Sequence, residues 1–99
     1  MKIQTQSIKF HADSNLLDVI QKRLDKLERL FDKIVDAEVI LRIENDSHRE
    51  NKLVEIKLNL PGEQLFTKSH ATSFEIATDE AAEALRRQLK KYKEKLQSH

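Results

Sequence analysis

The apolar residues of this 99-residue chain keep one spacing and then switch to another, and the switches divide it into six segments. Ile3, Thr5 and their neighbours alternate through about Ile8, the period of a strand with one buried face. Asp13-Ser14-Asn15 then offers side-chain oxygens to the unpaired N–H groups of a first helical turn, with Asp18 early in it. From there to about Asp32 the apolar residues Leu16, Leu17, Ile20, Leu24, Leu27 and Phe31 recur at three- and four-residue steps. That spacing predicts a helix packed on one side. At Ala37 the period falls to two. Ala37, Val39, Leu41 and Ile43 alternate with Glu38, Arg42 and Glu44, Ile40 being the exception, which predicts a half-exposed antiparallel strand.

A polar connection over 45–51 leads to a second alternating run, Val54, Ile56, Leu58 and Leu60, so the two runs form a hairpin. Pro61-Gly62, the only proline and the only glycine, mark the next turn, and Gln64 to about Ala71 makes a last strand. Thr72-Ser73-Phe74-Glu75 fits a capping box, with Thr72 as the cap and Glu75 reaching back to it. The helix it opens carries the stripe Phe74, Ala77, Ala81, Leu85, Leu89, Tyr92 and Leu96, unbroken to about Gln97. The order is β-α-β-β-β-α. Each helix has one apolar stripe, so both belong on the same face of a four-stranded sheet. The expectation is an α+β two-layer sandwich forming a single domain over 1–99.

Composition narrows the setting. With 38% hydrophobic and 35% charged residues the chain has material for one modest core. The absence of cysteine excludes disulfides and thiolate metal sites. Residues 1–6 lack the apolar core of a signal peptide, and no run approaches the roughly 18 apolar residues of a membrane span. A cytoplasmic protein with no membrane association is expected.

Charge changes the picture more than composition does. A net charge of +1 conceals a segment, Ala84 to His99, in which Arg86, Arg87, Lys90, Lys91, Lys93 and Lys95 face one acid, Glu94. That segment carries +5 and leaves −4 for the rest of the chain, an asymmetry that points to a directed contact with a polyanion. On the second helix Arg86, Lys90 and Lys93 form one ridge, and Arg87, Lys91 and Lys95 a neighbouring one. With a single acid among six cations, most of these should lack an intrahelical partner. On the first helix Lys22, Lys26, Arg29 and Lys33 also share one side, but Asp18, Asp25, Glu28 and Asp32 are interleaved and could pair with them. If the helices pack side by side, the ridges flank a shared groove suited to the repeating phosphates of RNA. Tyr92 lies in the apolar stripe, which favours core packing over stacking on a base.

Nothing in the sequence favours catalysis. His11, His48, His70 and His99 are scattered, without the spacing of a helical zinc pair. One glycine cannot make a phosphate loop, and no Ser–His–acid order stands out. Glu44, Asp46 and Glu50 lack calcium-loop spacing and read as solubilising a hairpin tip. No enzyme activity, cofactor, metal or small-molecule substrate is expected. RNA is the favoured partner on this reading, with a double-stranded-RNA module or an adaptor whose basic helix grips an acidic protein as alternatives.

The segments Ser73-Phe74-Glu75-Ile76-Ala77-Thr78-Asp79 and Leu85-Arg86-Arg87-Gln88-Leu89-Lys90-Lys91-Tyr92-Lys93 resemble the ribosome hibernation-promoting factor and ribosome-associated inhibitor family, with its Arg-Gln-Leu-x-Lys-Tyr-Lys helix. Leu24-Asp25-Lys26-Leu27-Glu28-Arg29 resembles that family's Lys-Leu-x-Lys-Leu-Glu-Arg segment, and the element order agrees over essentially the whole chain. The resemblance implies binding in the cleft between head and body of the small ribosomal subunit, where the factor occupies the mRNA and tRNA path and silences idle ribosomes. The implied rRNA-contacting residues are Lys22, Lys26 and Arg29 on the first helix and Arg86, Arg87, Lys90, Lys91 and Lys93 on the second. The implied partners are the small subunit with its rRNA and, for members that promote ribosome pairing, a dimerising helper protein. The chain departs from the family at Ser73 and Glu75, where an Asp and a Tyr are common. It stops just past the second helix, without the C-terminal dimerisation domain of the long members, and so resembles a short form.

Overall fold

A computed structural model of the chain describes residues 1–44 and 51–97. Residues 45–50 of the polar connection, with His48, Asp46 and Glu50, lie outside the described residues, as does His99. The elements are β1 (Lys2–Ile8), α1 (Ser14–Leu30), β2 (Asp36–Ile43), β3 (Lys52–Leu60), β4 (Glu63–Ala71) and α2 (Phe74–Gln97), in the expected order.

The four strands form one sheet in the order β1-β2-β3-β4. β2 pairs with β3, and β3 with β4, in antiparallel register. β1 pairs with β2 in parallel, Ile3 beside Ala37 and Thr5 beside Val39. The sheet is therefore mixed, because α1 carries the chain back to its starting end before β2 begins, as a parallel pair requires. Pro61 and Gly62 connect β3 to β4 as expected, and Gly62 takes the positive φ (76°) that glycine adopts without strain.

Strand alternation sends Ala37, Val39, Leu41, Val54, Ile56, Leu58 and Leu60 into one core with Ile20, Leu24 and Leu27 of α1 and Ala77, Ala81, Leu85 and Leu89 of α2. Both helices cover that one face, which makes the two-layer sandwich. The other face carries rows such as Gln4–Glu38–Lys57–Phe66, read across the sheet from register partners. The outer edge of β4 is partly closed by α2, where the Gln88 side-chain amide donates to the Phe66 carbonyl (2.9 Å).

Local differences from the sequence pattern have local causes. α1 ends at Leu30, and Phe31 is its extended C-cap, so Lys33 lies past the helix rather than on its cationic ridge. Asp13 is the N-cap, accepting from the Leu16 N–H (2.8 Å), and Asp18 falls beyond the first turn. α2 is capped one residue later than the capping box predicts. Ser73 Oγ accepts from the Ile76 N–H (3.1 Å), and no glutamate occupies the position from which a side chain would reach back. Leu17, Ile43 and Leu96 are exposed although each belongs to an apolar pattern. Leu17 sits in the first turn at the margin of its stripe, and Ile43 is the last residue of its strand. Leu96 lies where α2, about 36 Å long at 1.5 Å per residue, outruns nine-residue strands of about 30 Å.

Candidate nucleic-acid interface

The topology makes α1 and α2 parallel neighbours. Their starts meet where Phe10, just before α1, stacks on Phe74 (centroids 4.9 Å apart). Their far ends meet where Phe31 and Tyr92 pack edge to face (5.5 Å). Both carboxyl ends thus point the same way, and the partial negative charge of each helix end is met by a cation in the last turn: Arg29 on α1 and Lys95 on α2. α2 is graded along its length. Glu75, Asp79, Glu80 and Glu83 fill its amino-terminal half and the lysines its carboxyl-terminal half, an arrangement the helix dipole favours at both ends.

Between the helices runs a groove of about 310 Å3 lined by Arg23, Lys26 and Leu27 of α1 and Asp79, Ala82, Glu83 and Arg86 of α2. Two expected site residues from different helices, Lys26 and Arg86, are brought together there. Arg23 and Asp79 were not singled out from the sequence, yet they bridge the helices through a hydrogen-bonded ion pair. Asp79 hydrogen bonding and charge raise the Arg23 pKa above its ordinary value. Arg23 is recognisable in retrospect as the residue one before Leu24 and four before Leu27, which puts it beside the buried stripe.

The pairing of the cations on α1 is the opposite of what the sequence suggested, and on α2 the ion pairs to Glu83 are made by two of them. On α1, where interleaved acids were expected to neutralise the ridge, Lys22, Lys26 and Arg29 are exposed and form no ion pair among the described residues. Asp25 instead accepts from Gln21 (2.8 Å), and Glu28 holds the amino group of Met1. On α2, Arg86 and Arg87 share a partner. Glu83 takes two hydrogen bonds from Arg86, Nε to Oε2 at 3.0 Å and Nη2 to Oε1 at 2.7 Å, and lies 3.7 Å from Arg87 Nη1. That bonding to Arg86 holds the Glu83 carboxyl below its usual pKa, and raises that of Arg86 in turn. Glu83 precedes the strongly basic segment by one residue, so counting charge from Ala84 left it out. The spacing rule, three residues to Arg86 and four to Arg87, identifies it.

Lys90 and Lys91 are exposed and without an ion pair among the described residues. Lys93 is half-buried, and its ammonium donates to the Leu30 carbonyl (2.6 Å), at the end of the neighbouring helix. Tyr92 packs half-buried against the core, as its place in the stripe predicts, and its hydroxyl donates to the Pro61 carbonyl (3.3 Å). His70 lies 3.3 Å from Glu44, and no cluster able to hold a metal occurs among the described residues. No described helix is long and apolar enough to cross a membrane. What the surface offers is an outer helical layer with five cations unpaired among the described residues, Lys22, Lys26, Arg29, Lys90 and Lys91, beside the paired Arg23, Arg86 and Arg87.

The family model described as sigma 54 modulation protein / S30EA ribosomal protein matches residues 3–97. A ribosome hibernation promoting factor from Pseudomonas putida is 36% identical over 83 residues, 84% of this chain and 78% of that protein. A ribosome hibernation promotion factor from Deinococcus radiodurans is 35% identical over 78 residues, which is 77% of this chain but only 40% of that protein. Among solved structures, a ribosomal subunit interface protein from Coxiella burnetii has the same fold, with a TM-score of 0.83 at 24% identity, covering 94% of this chain and 98% of that one.

Proposed function

The chain belongs to the sigma 54 modulation protein / S30EA ribosomal protein family, and from that premise we propose that it binds the small ribosomal subunit through rRNA contacts of α1 and α2, obstructs the mRNA and tRNA path, and so inactivates idle ribosomes in the cytoplasm. The names of its relatives supply the class of partner, the ribosome. The observation that carries the reading is the set of unpaired cations on the outer surface of the helical layer. Lys22, Lys26, Arg29, Lys90 and Lys91 form no ion pair among the described residues, and each phosphate they meet releases counterions. Arg86 and Arg87 join them by exchanging Glu83 for phosphate. Lys93 acts differently, setting the relative position of the two helices that present the others. A helper protein for ribosome pairing would bind the resulting complex.

Sedimentation of stationary-phase lysate tests this. The protein is expected to travel with small subunits or whole ribosomes, to leave them as salt rises, and to inhibit translation when added to a cell-free system. Equal capture by excess free duplex RNA would favour a general double-stranded-RNA binder, and association that survives nuclease would favour an acidic protein partner.

A further inference from the structure

Three cations in and beside the groove are not free to meet phosphate, because two carboxylates already occupy them. Arg86 is held by both Glu83 oxygens, Arg87 lies within ion-pair distance of the same carboxylate, and Arg23 is held by Asp79. All of these side chains are substantially exposed, so the pairs add little to stability. Their effect falls instead on association, since an incoming phosphate must displace the carboxylate from the guanidinium it contacts. Glu83 has the larger reach, for the charge of Lys90, about two helical turns further on, also acts on its carboxyl.

We propose that Glu83 is an intramolecular competitor of RNA phosphate for Arg86 and Arg87, and that it thereby limits the affinity of the α1/α2 surface for RNA that lacks the geometry of the proper target. This rests on the reading of the two helices as an RNA-binding surface. A ribosomal site that positions several phosphates at once displaces the carboxylate as part of a larger set of contacts. A generic duplex offers only electrostatic attraction, which the carboxylate opposes directly. The carboxylate stays ionised below the usual range, so the competition persists under mildly acidic conditions.

Glu83→Gln tests the assignment, because glutamine keeps the length and helix propensity of glutamate and removes only the charge. Glu80→Gln is the control. It removes the same charge from the preceding turn, where the side chain is exposed and has no ion pair among the described residues. The probe is an A-form RNA duplex of arbitrary sequence, titrated with each full-length protein over a range of salt. Glu83→Gln is expected to bind the duplex roughly three- to tenfold more tightly than wild type near 0.1 M salt, with a salt slope steeper by about one phosphate contact. Glu80→Gln should gain distinctly less. Equal affinities of the two variants, weaker binding by Glu83→Gln, or no measurable duplex binding by either would overturn the proposal. Sedimentation of the wild-type protein with ribosomes decides the underlying function separately. If it sediments with them while Glu83→Gln leaves the duplex affinity unchanged, only the role of Glu83 fails.

Discussion

The ammonium of Lys93 on α2 donates a hydrogen bond to the main-chain carbonyl of Leu30, the last helical residue of α1, at 2.6 Å. The final carbonyls of a helix have no partner within it, and they carry the negative end of its dipole. A half-buried cation from the neighbouring helix supplies both the donor and the opposite charge. Lys93→Glu should therefore destabilise the domain by about 1–3 kcal/mol, losing the bond and placing a carboxylate against a carbonyl. Lys93→Met, which keeps the packing, should cost about 1 kcal/mol. Lys91→Glu, exposed two residues away, should change stability by no more than about 0.5 kcal/mol. Urea denaturation of the three variants checks the order.

In the sequence Lys93 is indistinguishable from Lys90 and Lys91, as one more cation beside an apolar stripe. What separates it is the end of another helix brought alongside through β2, β3 and β4, and no local pattern reports that. The fold itself was legible because each element stands on its own periodicity. Leu24 and Leu27, Val39 and Leu41, and Leu85 and Leu89 are buried as their spacing requires. The parallel pairing of β1 with β2 depends on where α1 returns the chain, and was not legible. The cationic surface was half legible. Arg86 and Arg87 stood out in the sequence as candidate site residues, while Glu83, which pairs with both, and Arg23, which bridges to Asp79, did not.

The start of α2 separates two candidate caps one residue apart. Because Ser73 Oγ accepts from the Ile76 N–H, Ser73→Ala should lower stability by about 1 kcal/mol. Thr72→Ala removes an exposed hydroxyl that caps nothing and should stay within about 0.5 kcal/mol of wild type. Thermal melts of the pair decide the cap, and the opposite ranking would restore Thr72 to the role its sequence position suggests.

Thr78 is fully buried in α2, and its hydroxyl has no hydrogen-bond partner among the described residues. A buried polar group without a partner carries an uncompensated desolvation cost, and valine has nearly the same shape. Thr78→Val should therefore stabilise the domain by about 1 kcal/mol, visible as a higher melting temperature. A lower one would mean that the hydroxyl is satisfied in solution.

The role of the unpaired cations is tested most directly by removing their charge while leaving Lys93 and the groove pairs in place. Lys22→Gln, Lys26→Gln, Lys90→Gln and Lys91→Gln, combined in one protein, alter only exposed side chains without ion pairs among the described residues, and glutamine is a good helix former. The melting transition should stay close to that of wild type. Four lost phosphate contacts should weaken ribosome binding on the order of a hundredfold or more near physiological salt, with a correspondingly shallower salt dependence. The measurement is sedimentation of this folded variant with ribosomes, paired with cell-free translation. If the lysines contact rRNA, this variant stays at the top of the gradient and leaves translation running. A variant that sediments with ribosomes and inhibits translation as wild type does would contradict the account, and would leave those lysines as an ordinary solvated surface.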